Sequence, residues 1–204
     1  MPSQSAGPAP RSQPQRRRRA DAQRNYDSLV AAARDVFRDH GADAPLDAIA
    51  RRAGIGNATM YRHFPTRREL IIAVYSDEVA ELCARSQSLL AEDSPGDALF
   101  GWLLDFIAHV AAKRELALSI SDDRTGQRSA LFDGWHHSMH AAASALLTRA
   151  QSADAVRADL TASELLALAN GIALTTTDAT QAERLVFLVR RGTDTPSIPD
   201  DSIR

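Results

Sequence analysis

The residues of this sequence best suited to chemistry lie in one short stretch, where amide, hydroxyl and basic side chains follow each other closely. In a helix over residues 57–64, Met60 and Phe64 would lie four positions apart on the buried side. The remaining side chains would face outward or sideways: Asn57, Ala58, Thr59, Tyr61, Arg62 and His63. Amide and guanidinium groups pair with base edges, while hydroxyl and basic groups bind phosphate oxygens. The chemistry that this set predicts is non-covalent DNA binding.

The helix that must position this stretch is predicted immediately before it. Apolar residues recur there with helical spacing at Leu46, Ile49, Ala50 and Ala53. Pro45 suits the first helical position, Gly54 can end the helix in the left-handed conformation, and Gly56 can be the N-cap of the next helix. A helix-turn-helix of this kind places its second helix in the major groove. The alternative is a helical hairpin in an ordinary core, but its outward face would then be apolar rather than polar and aromatic.

Charge is distributed unevenly along the chain. Residues 1–76 carry 13 Arg and no Lys against seven Asp and Glu, a net charge of +6. Residues 77–204 carry 11 basic against 19 acidic residues, a net charge of −8. This asymmetry indicates a DNA-binding part joined to a part that does not bind DNA. The run Arg16–Arg19 is either a solubilising tail or an arm that reaches DNA.

Helical periodicity throughout predicts an all-α protein with two structured domains. The predicted divisions are a disordered basic arm over 1–20, a helix-turn-helix domain over 21–66, a helical effector-binding and dimerisation domain over 67–192 and a disordered tail over 193–204. The first helix is predicted over Asp21–His40, and a long helix from Arg67 to about Leu90 would link both halves mechanically. Further helices are predicted at 94–113, 115–120, 128–150, 162–177 and 181–191. Capping boxes at Thr161–Glu164 and Thr180–Glu183 would form the N-termini of the last two helices.

Composition and motifs disfavour several other classes of protein. Cys83 is the one cysteine, which excludes an internal disulfide framework and a multi-cysteine zinc site. No apolar run approaches the length of a membrane span, and no apolar segment follows the charged N-terminus, so we expect a cytoplasmic protein with no membrane partner. There is no G-x-S-x-G motif and no carboxylate pair in an apolar run, so neither an enzyme nor a cofactor is predicted.

Histidines with helical spacing raise the question of a metal site. His136 and His140 lie four positions apart, as in helical zinc pairs, and Asp105 and His109 repeat that spacing. No third ligand can be named, so exposed or partly buried histidines without a metal are predicted instead.

Aromatic residues in the second half predict a cavity for a small apolar or aromatic effector. The helix that follows Pro95 is apolar on most sides, which is typical of a helix that is buried or lines a cavity. The candidate lining combines apolar residues with polar groups that would orient the effector: Trp102, Phe106, Trp135, Met139, His109, His136 and His140. A solid core built from the same aromatic residues is the alternative.

The last two helices carry apolar faces that predict a homodimer. Leu168, Ile172, Leu185 and Leu188 belong to stripes larger than a monomer of this size should leave exposed. The alternative is that these stripes cover the monomer's own core. A dimer is favoured because a palindromic DNA site is read by two copies.

The motif residues also resemble a known family. Ala33, Phe37 and Gly41, then Ala53-Gly54-Ile55, then the run from Thr59 to Arg67 are similar to the N-terminal domain of TetR-family repressors. The resemblance implies a ligand-released repressor that binds a palindromic operator as a homodimer. It implies base contacts from Asn57 and Ala58, and phosphate contacts from Thr59, Tyr61, His63 and Arg67, with Arg62 able to do either.

The chain departs from the family pattern at one position of the motif. Many family members place Thr at the start of the first helix of the motif, where this chain has Ala44-Pro45-Leu46. The second half resembles, more loosely, the actinobacterial subgroup with an SbtR-like C-terminal domain. The alternative function is a helical DNA-binding protein with a solid C-terminal core and no small-molecule effector.

Overall fold

The computed structural model describes residues 13–119, 127–176 and 178–193. Within these ranges the chain forms eight α-helices and no strand, which confirms the all-α prediction. The described residues fall into two compact units, which divide between residues 70 and 71. Within the described part, no helix is long and apolar enough to cross a membrane. The boundary predicted between residues 66 and 67 lies slightly before the division between the units.

The first unit contains three helices and the beginning of a fourth. These are α1 (Gln13–His40), α2 (Leu46–Ala53), α3 (Asn57–His63) and α4 (Arg67–Leu89), of which α4 continues into the second unit. Of the apolar residues that helical spacing selected, Ile49, Ala50, Met60 and Phe64 are buried, whereas Leu46 and Ala53 are half-buried. Other buried side chains of this unit are Leu29, Ala33, Phe37 and Leu70. Burying this apolar face of α1 against α2 stabilises the unit that carries α3.

Helix α1 begins at Gln13, eight residues before the predicted Asp21. The arginines Arg16–Arg19 are therefore helical and exposed, and the prediction of a disordered arm is wrong for residues 13–20. Arginine is a good helix former, so an established helix can continue through such a run. The rest of the predicted arm, residues 1–12, lies outside the described residues.

The two glycines of the turn in the first unit have the predicted capping conformations, whereas Pro45, predicted at the first helical position, is instead the extended N-cap residue of α2. Gly54 has a φ of 68°, the left-handed conformation expected of a residue just past a helix end. Gly56 precedes α3 in an extended conformation, as an N-cap should. At α4, the backbone N–H of Glu69 donates to Thr66 Oγ1 at 3.2 Å, and the N–H of Thr66 donates to Glu69 Oε2 at 3.0 Å.

The second unit is a helical bundle around α5. It contains α5 (Pro95–Ser119), α6 (Gln127–Ser152), α7 (Ala162–Thr175) and α8 (Ala179–Thr193). Helix α5 packs against all three of the others. Its apolar residues form one core with α6, α7 and α8, including Leu99, Trp102, Phe106, Met139, Leu146, Leu165 and Val186.

Two predicted features of the second unit are wrong. The piece predicted separately at 115–120 continues α5 as far as Ser119. The capping box at Thr161–Glu164 is present, but α8 begins at Ala179, two residues before the predicted Gln181. The carboxylate of Asp178 accepts a hydrogen bond from the N–H of Gln181 at 2.8 Å and caps α8 instead. The predicted tail beyond Thr193 lies outside the described residues.

Candidate functional site

Helix α3 presents the polar side chains selected from the sequence on its outer side. Asn57, Ala58, Tyr61 and Arg62 are exposed, and Tyr61 retains 46% of its accessible surface. Thr59 and His63 are half-buried at the edges of this face. An exposed tyrosine between polar residues gains little from the core, whereas its hydroxyl is well suited to bind a phosphate oxygen. We name this surface, formed by residues 57–59 and 61–63, the α3 face.

The turn before α3 is fixed by backbone hydrogen bonds. The N–H of Ile55 donates to Ala50 O at 2.9 Å, and the N–H of Gly54 donates to Arg51 O at 3.2 Å. The first bonds of α3 run from the N–H groups of Thr59 and Met60 to Gly56 O, at 2.9 and 3.0 Å. Buried Met60 then holds the inner side of α3. The direction of the α3 face thus depends on the position of α2.

Within the α3 face, Arg62 and Thr59 are already paired. The Nη2 group of Arg62 donates to Thr59 Oγ1 at 2.9 Å. The Thr59 hydroxyl can still donate its own proton to a phosphate oxygen, because the arginine uses it only as an acceptor. Arg62 keeps further N–H groups for a base edge or a phosphate.

Arg67 lies differently from the α3 face. Its side chain is half-buried, and its Nη1 group donates to the carbonyl oxygens of Ala42 at 2.7 Å and Ala44 at 2.6 Å. Both acceptors belong to the loop between α1 and α2. The family resemblance implied a phosphate contact for Arg67. The contact with the loop has no local signal in the sequence, because its partners lie 25 and 23 residues away.

A second contact between separate elements of the first unit, which the sequence did not predict, joins α1 and α2. Asp35 on α1 accepts a hydrogen bond from Arg52 Nη2 on α2 at 2.9 Å and also pairs with Arg38. The hydrogen bond from Arg52 is the largest cause that holds the pKa of Asp35 below its usual value. The carboxylate is therefore charged at neutral pH and links the two helices there.

The predicted effector-binding residues Trp102 and Phe106 are buried in the core of the second unit. Trp102 has no accessible surface, and its indole Nε1–H donates to Leu82 O at 2.9 Å. Its ring stacks on Phe106 with the centroids 5.8 Å apart. Trp135 and Met139 are buried in the same core cluster. The four apolar residues of the predicted effector site therefore lie in one core, and the indole N–H of Trp102 already has a hydrogen-bond acceptor there.

A second aromatic group adjoins this core, and it includes residues that the sequence prediction did not select. The ring of Tyr75 lies 4.4 Å from that of Trp135 and 5.1 Å from that of His109, measured between centroids. Tyr75 therefore packs against aromatic residues of α5 and α6. The side chain of His109 is only 7% exposed, with Nδ1 3.8 Å from Glu78 Oε2. Burial, followed by the Glu78 charge, raises the pKa of Tyr75 and keeps its hydroxyl neutral.

His136 and His140 do not join the predicted effector site. Both are exposed, whereas Trp135 and Met139 beside them are buried. Nδ1 of His136 lies 2.8 Å from the carbonyl oxygen of Phe132 on the same helix, and Nε2 of His140 lies 3.1 Å from Ser163 Oγ on α7. Of the polar groups proposed to orient an effector, His109 alone lies among the buried aromatic residues in the described part of the chain.

The spacing of His136 and His140 and of Asp105 and His109 does not form a metal site in the described residues. Among the described residues no group of three or more His, Cys, Asp or Glu side chains is arranged to hold a metal ion. Asp105, which shares helical spacing with His109, forms an ion pair with Arg85 instead.

The predicted dimer residues lie on an apolar surface of α7 and α8. Leu168 and Leu188 are 47% and 54% exposed, and Ile172 and Leu185 are half-buried. Phe187 and Leu174, which the prediction omitted, are 55% and 53% exposed. A groove of about 860 Å³ adjoins this surface and is lined in part by Leu168, Ile172, Arg157, Asp159 and Leu160. Large apolar side chains are seldom exposed together unless a partner covers them.

Both parts of the chain match known protein families. Residues 29–74 match the family model for bacterial regulatory proteins of the tetR family. Residues 94–194 match the model for the C-terminal domain of SbtR-like transcriptional regulators. The two matches correspond to the helix-turn-helix unit and to the helices α5–α8.

Two solved structures are similar over almost their whole length. A TetR transcriptional regulator from Streptomyces coelicolor, SCO0520, is 38% identical, with 84% of this chain and 99% of that chain covered and a TM-score of 0.70. A TetR regulatory protein from Mycobacterium vanbaalenii is 34% identical, with coverages of 86% and 98% and a TM-score of 0.70. The transcriptional regulator CymR of Pseudomonas putida is 30% identical over 132 residues, a match that covers 57% of this chain and 65% of CymR.

Proposed function

The chain is a member of the TetR family of DNA-binding transcriptional regulators, and from this premise we propose that it represses transcription as a homodimer on a palindromic operator and is released by a small ligand. The observation that carries the proposal is the exposed α3 face. An exposed row of amide, hydroxyl and guanidinium groups on a helix fixed by a tight turn fits the major groove. The positive net charge of residues 1–76 favours the approach of this unit to DNA.

Within this proposal the α3 face has two roles. Asn57 and Ala58 lie at the start of α3, where side chains of a recognition helix contact base edges. Tyr61, His63 and the Thr59 hydroxyl bind phosphates, and Arg62 binds either. Helix α2, held to α1 by the Arg52–Asp35 pair, keeps these groups in position.

Replacing Asn57 by alanine is expected to cost about 1–3 kcal/mol of operator affinity and to relax the preference at one base position. Replacing Tyr61 by phenylalanine removes a phosphate contact instead, so it should weaken operator and random DNA alike. Fluorescence anisotropy with an operator duplex selected from a random library, and with random duplexes, measures both effects. Equal losses on operator and random DNA for Asn57→Ala would contradict the base contact.

The homodimer is supported by the exposed apolar surface of α7 and α8. Four large side chains, Leu168, Leu174, Phe187 and Leu188, each expose about half their area or more in the single chain. Packing these surfaces from two copies removes apolar area from water without further rearrangement. A dimer also matches the two half-sites of a palindrome.

Ligand release is supported by the aromatic composition of the second core. The proposed effector is a small apolar or aromatic molecule that inserts beside Trp102, Phe106, Trp135 and Met139, with His109 as the polar group. Helix α4 contains residues of both units, so a displacement of its far end can be transmitted to its first turn. A ligand shifts this equilibrium only by its differential affinity for the two states.

A regulator without an effector is the second candidate function. The observation that favours it is the packing of Trp102, whose indole N–H is bonded to Leu82 and whose ring stacks on Phe106. A side chain with its polar group satisfied and no exposed surface is typical of a structural core.

Linkage between ligand and operator distinguishes these two candidates. A compound found by thermal-shift screening should quench tryptophan fluorescence and weaken operator binding. For a 100-fold effect, worth about 2.7 kcal/mol, saturating operator must raise the dissociation constant of the compound by the same factor of about 100. A compound that binds equally well with and without operator would show that its site does not regulate DNA binding.

A further inference from the structure

The contact of Arg67 with the loop between α1 and α2 has a geometry suited to holding that loop in place. One nitrogen, Nη1, donates to two backbone carbonyls, at 2.7 Å to Ala42 O and 2.6 Å to Ala44 O. Such hydrogen bonds from an ionised donor are shorter and roughly twice as strong as neutral ones. Packing holds one of the two acceptor residues in place, because Ala44 is buried.

The start of α2 has little local support of its own. Its N-cap is Pro45, which makes no side-chain cap hydrogen bond and has no backbone N–H to donate. The loop enters through Gly41, whose φ of 77° is left-handed, and the turn bond from Ala44 N–H to Gly41 O is long at 3.3 Å. A side chain that binds the carbonyl just before Pro45 therefore contributes strongly to the placement of α2.

We propose that Arg67 is a positioning residue that orients α2, and through the turn at Gly54 the α3 face, rather than a residue whose role is to bind phosphate. The proposal rests on the assignment of the α3 face to DNA. Both N–H groups of Nη1 are used by the two carbonyls, so the guanidinium cannot offer that nitrogen to DNA while it holds the loop.

The same contact has a consequence for regulation. Arg67 is the first residue of α4, and α4 extends beyond the first unit. The two hydrogen bonds tie the first turn of α4 to the loop that begins α2. A shift of this turn either moves α2 with it or breaks the bonds, and both outcomes change the direction of the α3 face.

Three variants test the proposal. Arg67→Met keeps an unbranched apolar side chain about as long as the arginine stem and removes the donors and the charge. Arg67→Lys keeps the charge but replaces the planar guanidinium by a single ammonium group. Arg24→Met is the matched control, because Arg24 is exposed on α1 and pairs only locally with Asp21 in the described part of the chain. Affinity is measured on the operator selected by the wild-type protein and on random duplexes, between about 50 and about 200 mM salt.

For Arg67→Met we expect an operator affinity at least about tenfold lower, a much smaller loss on random DNA, and an unchanged slope of log affinity against log salt. Amide hydrogen exchange should become faster in residues 42–48, which Arg24→Met should leave unchanged. Arg67→Lys should lose part of the preference for operator over random DNA, since one ammonium group replaces the guanidinium fork. If Arg67→Met does not fold, Arg67→Lys carries the test.

A phosphate role gives a different pattern. Arg67→Met would then weaken operator and random DNA equally and reduce the salt slope by about one unit, and Arg67→Lys would retain the full preference for operator. Either result, or wild-type behaviour of Arg67→Met, overturns the proposal. The Asn57→Ala variant separates the causes: if it lowers specificity while Arg67→Met does not, this inference alone fails. If neither variant lowers specificity, the assignment of the α3 face fails.

Discussion

Replacing Leu188 by glutamate is expected to convert the protein into a monomer with greatly reduced operator affinity. Leu188 is 54% exposed in the single chain, so the new carboxylate meets water there and does not disturb the fold of the monomer. In a dimer that covers α8, the same carboxylate would be buried without a partner, at a cost of several kcal/mol. Loss of the second DNA-binding unit should then reduce operator affinity by a factor of about 10²–10⁴.

Sedimentation velocity at micromolar concentration and operator binding by anisotropy measure these two effects. Thr148→Glu on α6 is a suitable control, because it places the same charge at an exposed position outside the apolar surface. Leu188 is a better test position than Leu185, whose half-buried side chain also contributes to the monomer. The dimer proposal fails if the wild-type protein sediments as a monomer and still binds its operator tightly.

Replacing Trp102 by alanine should cost about 3–5 kcal/mol of the free energy of unfolding of the second unit. The side chain has no exposed surface, stacks on Phe106 and donates its indole hydrogen bond to Leu82 O. Truncation removes the buried ring and leaves a cavity, and it also leaves the carbonyl without this donor. Trp102→Phe should cost less, since most of the apolar volume is kept.

Urea denaturation followed by circular dichroism measures this loss, with His137→Ala, an exposed position on α6, as the control. A Trp102→Ala protein with unchanged stability would contradict the structural role. If such a protein also lost the response to an identified ligand, Trp102 would be assigned to a binding site instead of the core.

Local features of this fold were predictable because their causes lie within a few residues. Gly54 and the pair Thr161 and Glu164 have the expected conformations and bonds. The start of α8 was predicted two residues late because Asp178 and Thr180 are both competent caps and the sequence alone does not choose between them. The error at the start of α1 arose because a run of arginines near prolines resembles a disordered segment, whereas arginine itself favours helix.

Contacts between helices were much less predictable. Periodicity indicates which side of a helix is buried but not which residue it meets, so the contacts of Arg67 with the loop and of Tyr75 with Trp135 could not be derived. The wrong prediction that His136 lines the effector site could in part have been avoided. It lies about 100° around the helix from Trp135, so a buried Trp135 and Met139 leave it near the edge of that face.

The helical conformation of Arg16–Arg19 limits how this segment can act on DNA. Successive side chains are set about 100° apart around a helix, so Arg16 and Arg19 point to nearly the same side while Arg17 and Arg18 point elsewhere. Unlike an extended arm, the segment cannot lay four guanidinium groups along one groove. Its charge instead acts over a distance, and it should increase the association rate with DNA at low ionic strength while changing the lifetime of the complex much less.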